Sequence, residues 1–153
     1  MEKGKYKALD IAKWFLWYNN KVIMSDSDAD YISNLKLQKL LYYAQGSFLA
    51  LKDQLLFNED LLAWEHGPVV NEVYQEYKRY HSNGIPFDEE YINNIDEKDE
   101  ELLKEVYRVF GKYSAWGLRE MTHNETPWKE TKRNEVISVD LIKEYFKNNY
   151  VEA

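Results

Sequence analysis

The chain has 153 residues, of which 44% are hydrophobic and 16% aromatic, and its formal net charge is −7. This length and apolar content suffice for one sizeable core, so a single domain over residues 1–153 is expected. The sequence has no cysteine, which excludes disulfides and thiolate chemistry. With no signal-peptide pattern and no run of about 18 apolar residues, it predicts a cytoplasmic protein with no membrane span.

The acidic charge bears on the kind of partner. Non-specific nucleic-acid binding depends on neutralising phosphates, which a globally acidic chain does badly. An acidic surface suits a basic protein partner, because complementary charge speeds encounter. Solubility alone explains the same charge equally well. The charge therefore disfavours direct nucleic-acid binding without identifying a partner.

The first predicted helix covers residues 6–19, where apolar residues recur at helical spacing. Trp14 and Trp17 lie off this apolar stripe. Two interpretations stay open: a second element covers the tryptophans, or they form an exposed aromatic anchor for a partner.

The second predicted helix, residues 35–51, is the centre of the chain. A short polar residue, Ser33 or Asn34, is placed to cap it. Its apolar stripe is formed by Leu37, Leu40, Leu41, Ala44, Phe48 and Leu51. The opposite side, which we expect to face solvent, carries Lys36, Lys39 and Tyr43, with Tyr42 beside them.

A small β element is predicted next. The apolar runs 55–57 and 61–64 flank a turn-compatible Asn-Glu-Asp and are interpreted as a hairpin. Pro68 is expected to begin another helix. Further helical patterns follow, with Ser114 and Ser138 as expected caps, and a short strand is expected near 135–138. The prediction is a mainly α (α+β) domain of about six helices with a two- to three-stranded β element.

The sequence shows no pattern for a cofactor, a metal or a catalytic nucleophile. The glycines are scattered singly, so there is no phosphate loop, and the three histidines fit no metal-ligand spacing. His66 and His123 have acidic neighbours in sequence, which leaves a hydrolase as an alternative. A histidine beside a turn is more often structural. The residues favour a binding protein over an enzyme.

Three segments carry a family resemblance: KLQKLLYYAQG in the central helix, AWEHGPVV after it, and the later pieces YSA, MTH and TPW. Together they resemble the Panacea domain, also called the SocA-like antitoxin or phage-associated GepA-like domain. The resemblance covers about residues 5–148. The family pattern corresponds here to Lys39, Tyr42, Trp64, Gly67, Pro68 and Val69.

The resemblance implies an antitoxin of a toxin–antitoxin module that neutralises a cognate toxin by direct binding. A second mode that it implies is delivery of the toxin to a AAA+ protease. The alternative within the family is a phage-associated regulator that binds DNA or another protein. The residues predicted to contact the partner are Lys36, Lys39, Tyr42, Tyr43, Trp64 and His66.

Overall fold

The computed structural model describes residues 3–26, 29–87 and 90–151, and the account below is confined to them. Seven α-helices lie in this part of the chain: α1 Ala8–Ser25, α2 Asn34–Lys52, α3 Asn71–Tyr77, α4 Glu97–Phe110, α5 Ala115–His123, α6 Thr126–Lys129 and α7 Val139–Asn149. A 3-10 turn, Lys78–Tyr80, extends α3. Strands β1 Leu62–Trp64 and β2 Gly67–Val69 pair antiparallel. The predicted mainly helical fold with a small β element is confirmed.

Helix α2 lies at the centre of the fold and is buried nearly all round. It contacts α1, α3, α4, α5, α7 and β2, and 14 of its 19 residues are buried. The Ser33 side chain caps it by accepting from Lys36 N at 3.3 Å, as predicted. Because the helix has no solvated face, polar residues on it must find partners inside the protein.

The hairpin differs from the predicted one. Residues 55–57 do not pair with 61–64; β1 pairs instead with β2 across the Glu65-His66 turn. Pro68 therefore lies in a strand, and the next helix begins at Asn71. Ala63 lies opposite Pro68 in the register, but its backbone hydrogen bonds go to the other side of β1. Its N–H donates to Glu135 O at 2.9 Å, and its carbonyl accepts from Asn134 N at 2.8 Å. Proline's missing N–H thus costs no ladder hydrogen bond.

The stretch expected to form a strand near 135–138 lies along the outer edge of β1 as an isolated bridge. Leu62 pairs with Val136, and Ile137 N donates to Leu61 O at 2.8 Å. The Ser138 side chain then caps α7 by accepting from Leu141 N. Helix α7 then packs against α2 and α6.

The two tryptophans of α1 are covered. Trp14 is fully buried, and its Nε1 donates to Glu100 Oε2 of α4 at 2.8 Å. Trp17 is half-buried and packs against Tyr91. This confirms the first interpretation, in which a second element covers them.

Gly46 allows α2 and α7 to approach closely. A Cβ at this position would overlap the buried ring of Phe146. We expect Gly46→Ala to lower the free energy of unfolding by about 1–3 kcal/mol, because overpacking outweighs the gain of roughly 1 kcal/mol in helix propensity. Urea unfolding measures this change.

Gly117 in α5 is the matched control, since its nearest side-chain atom would be the exposed Ser114 Oγ at 3.1 Å. Gly117→Ala should leave stability unchanged or raise it. A Gly46→Ala variant as stable as the wild type would show that the α2–α7 contact is looser than described.

Candidate partner-binding surface

The helix face predicted to contact a partner is buried. Lys39, Tyr42 and Tyr43 have no solvent-exposed surface, so the prediction that they form an exposed face is wrong. The physical reason is that α4, α5 and α7 cover the side of α2 that the sequence pattern leaves polar. The Lys36 side chain is half-buried and donates to Gly111 O at 2.5 Å, which ties α2 to the loop before α5.

Lys39 holds the second strand of the hairpin. Its Nζ donates to Pro68 O at 2.9 Å, and burial lowers the pKa of Lys39 to about 7, with the charge of Arg119 acting in the same direction. Gly67 leaves the space for this contact: it has φ +109°, and a Cβ there would lie 2.7 Å from Lys39 Cε and 2.8 Å from Thr122 Oγ1. Lys39 and Gly67 are thus complementary parts of one contact between α2, β2 and α5.

Tyr42 and Tyr43 bind a buried carboxylate. Both hydroxyls donate to Glu125, at 2.8 and 3.0 Å, and Tyr150 donates to the same carboxylate. Burial raises the pKa of Glu125 and of all three tyrosines, so the phenols keep the protons that they donate. Glu125 precedes α6 and Tyr150 follows α7. The cluster therefore joins α2 to the start of α6 and the end of α7.

Two glutamines complete the polar contacts of α2. Gln45 accepts from Leu56 N at 2.8 Å and donates to Phe57 O at 2.8 Å, as a strand partner would. Gln38 accepts from Val70 N at 2.9 Å. Each buried amide thereby satisfies backbone groups of a segment that follows α2, which is why these polar residues are tolerated in the core.

The exposed part of this region lies on the hairpin turn and α5. His66 is exposed, and its Nδ1 accepts from Arg119 Nε at 3.0 Å. The Arg119 guanidinium lies 4.2 Å from the ring centre of Trp116, whose surface is 57% exposed. Tyr113, two residues before α5 begins, is 39% exposed. The Arg119 side chain is itself only 15% exposed and forms an ion pair with Glu120 at 2.6 Å. We call His66, Tyr113, Trp116 and Arg119 the hairpin–α5 patch.

Trp64 lies beneath this patch. It is half-buried, its ring packs edge-on against Tyr74 with centroids 5.1 Å apart, and its carbonyl accepts from Trp128 Nε1 at 2.7 Å. Among the residues predicted from the sequence, Trp64 and His66 thus lie at an accessible surface. Trp116 and Arg119 were not predicted from the sequence. Leu118 and Thr122 form the buried side of α5, and Trp116 lies outside that side. A tryptophan outside the apolar side of a short helix is a signal that the sequence does carry.

Among the residues that the structure describes, neither candidate catalytic histidine is paired with a carboxylate as a general base would be. His66 Nδ1 is bound by a cation, Arg119. The ring of His123 stacks on Trp128 with centroids 3.8 Å apart, and burial lowers its pKa. Within the described ranges, no group of three or more acidic or histidine side chains is placed to hold a metal ion. Over the same ranges, no helix combines the length and apolarity that a membrane crossing needs.

Comparison with known proteins identifies the family. A family model described as "Antitoxin SocA-like, Panacea domain" matches residues 37–129, which is more than half of the chain and runs from α2 into α6. The chain belongs to the SocA-like Panacea family. The resemblance predicted from the sequence is thereby confirmed.

One curated member of the family gives a more detailed comparison. Antitoxin SocA of Caulobacter vibrioides (strain NA1000 / CB15N) is 44% identical over an alignment of 115 residues, and the alignment covers 63% of this chain. The chain spans 58% of that relative's length. No solved structure matches the chain. The matched segment of the Panacea family contains the Lys39 contact, Glu125 and the whole hairpin–α5 patch.

The buried Lys39 gives a pH test of the α2–hairpin contact. The folded pKa of about 7 lies below the unfolded value of 10.5, so between these pH values the unfolded chain binds the extra proton. Stability therefore rises with pH in this window, by up to about 1.4 kcal/mol per unit. We expect the wild type to gain stability relative to Lys39→Met from pH 7.5 to 9.5.

Urea unfolding at several pH values measures this difference. Lys98→Met is the control, because Lys98 is exposed, and its pH profile should run parallel to that of the wild type. A Lys39→Met profile that is also parallel to the wild type would mean that Lys39 keeps its proton in the folded chain.

Proposed function

We propose that this chain is an antitoxin that neutralises a cognate toxin by direct protein–protein binding. The observation that carries the proposal is the 44% identity to a protein named Antitoxin SocA, within a family described as antitoxin-like. The two histidines that a hydrolase would use are engaged by Arg119 and Trp128, which favours binding over catalysis. Delivery of the bound toxin to a AAA+ protease is a variant of the same role.

The hairpin–α5 patch is the surface that we propose for the toxin. Tryptophan and arginine are the residues most enriched among those that dominate binding energy, and here Trp116 and Arg119 lie in contact on one helix. His66 and the half-buried Trp64 extend the surface onto the hairpin. Lys36 lies at its border, where it lines the same cleft as Tyr113. Lys39 supports the hairpin side of this surface through Pro68 O, whereas Tyr42 and Tyr43 bind Glu125 in the core.

The proposal is tested with the product of the neighbouring open reading frame. The neighbour is expressed alone and together with this chain, and growth, co-purification and the amount of neighbour protein are scored. Toxicity relieved by co-expression with recovery of a stable complex supports sequestration. Relief accompanied by loss of the neighbour protein supports the protease variant. A harmless neighbour that does not bind would overturn the antitoxin role.

Trp116→Ala should weaken binding of the toxin without unfolding the chain. For a central aromatic contact we expect a loss of about 2 kcal/mol, which is roughly 30-fold in Kd. Titration calorimetry measures it, and circular dichroism checks the fold. Leu51→Ala is the control: Leu51 is 55% exposed at the far end of α2, and its loss should leave Kd unchanged. Equal affinities for the two variants would remove Trp116 from the contact surface.

A further inference from the structure

A surface groove adjoins the hairpin–α5 patch. Its volume is about 530 Å³, and it lies between the hairpin, the first turn of α2 and the end of α3. Its floor is formed by Leu35, Trp64, Val69 and Tyr74. His66 lines this groove and also belongs to the hairpin–α5 patch, at 6.3 Å from Trp116 between ring centres. The groove and the patch therefore form one continuous surface.

The rim of the groove supplies hydrogen-bond donors. The ammonium of Lys78 is exposed, and in the part of the chain described it makes no hydrogen bond or ion pair of its own. His66 Nδ1 accepts from Arg119, so the ring proton of neutral His66 lies on Nε2, which is then a donor. His81 follows Lys78 on the same rim, and Glu65 supplies an acidic group at the turn.

The groove combines an apolar floor with hydrogen-bond donors on its rim. It therefore fits a peptide segment that has apolar side chains next to a hydrogen-bond acceptor. Carboxylates accept from lysine and histidine more strongly than neutral groups do. The charges of Lys78 and Glu65 cancel within the groove lining, whereas the chain as a whole carries a net charge of −7. The charge complementarity toward an acidic partner segment therefore comes from the Lys78 ammonium, which is free to pair with a carboxylate. Two backbone groups that face α2 here are already used: Lys39 binds Pro68 O in β2, and Gln38 binds Val70 N just after β2. Recognition there would rest on side chains.

We propose that this groove binds a segment of the toxin in which apolar residues stand next to aspartate or glutamate. The apolar side chains would cover Leu35, Trp64, Val69 and Tyr74, and the carboxylate would bind Lys78 and His66. The proposal rests on the antitoxin function proposed above and adds the chemistry of the segment that is recognised. It also gives the hairpin a role, because β2 forms one wall of the groove and is held by Lys39.

The test uses two variants of the full chain and the purified neighbour-encoded protein. Lys78→Glu reverses the charge of the rim. Leu35→Asp places a charge in the floor, at a first-turn position where the helix dipole favours an acidic residue. Both should raise Kd at least tenfold, and the wild-type Kd should rise with salt. Overlapping synthetic peptides of the neighbour should show binding of an acidic–apolar segment that Lys78→Glu abolishes.

Lys98→Glu is the matched control, with the same change of charge. Lys98 precedes Asp99, which binds Lys52 at the C-terminal end of α2, whereas the groove lies at the N-terminal end, roughly 27 Å away along the helix. This control should bind within about twofold of the wild type. If Leu35→Asp fails to fold, the Kd of Lys78→Glu alone tests the groove assignment, because Lys78 is exposed.

The outcomes separate the two proposals. Full neutralisation and unchanged Kd in Lys78→Glu would overturn the groove assignment and leave the antitoxin function in place. Binding of a basic peptide, or a change only in self-association of this chain, would also overturn it. A neighbour that is neither toxic nor bound would overturn the antitoxin function, and the groove assignment with it.

Discussion

The burial of α2 on nearly every side is the constraint on which the rest of the structure depends. A helix in this position must satisfy its own polar side chains, and Gln38, Lys39 and Gln45 do so by binding backbone groups of the segments that follow. The desolvation cost of each side chain is thereby offset by a contact that also fixes a neighbouring segment. The buried polar side chains of α2 therefore also determine where the later segments pack.

In this arrangement the residues that hold the fold together differ from those that we propose to contact a partner. Lys39 and the tyrosines bound to Glu125 lie inside the domain, while Trp116, His66 and the groove lie on its surface. Substitution at Lys39 would therefore act on a partner indirectly, by releasing β2 and with it one wall of the groove. Residues of the family pattern can matter for function in this way without contacting a partner. Lys39 and Gly67 illustrate the point, since the Lys39 side chain occupies the space that a Cβ at position 67 would need.

The sequence was sufficient for most of the helices and for three of their caps, because periodicity and capping are local. Ser33, Ser114 and Ser138 each cap the helix predicted for them. It was insufficient for the hairpin pairing, since apolar runs do not specify a partner strand, and Pro68 is acceptable in β2 only because Ala63 bonds elsewhere. The polar side of α2 was misassigned because the partners of Tyr42 and Tyr43 are more than 80 positions away at Glu125. No local pattern encodes such a contact.

The most direct test of the account is amide hydrogen exchange of the full chain, alone and bound to the neighbour-encoded protein. The account predicts that α2 exchanges slowest in the free chain. It also predicts that binding slows exchange in residues 64–82 and 113–123, which contain the hairpin and α3 side of the groove and the hairpin–α5 patch. Protection confined to α1 and the first turns of α4, with the hairpin unchanged, would contradict it. Fast exchange in α2 of the free chain would contradict its role as the buried support.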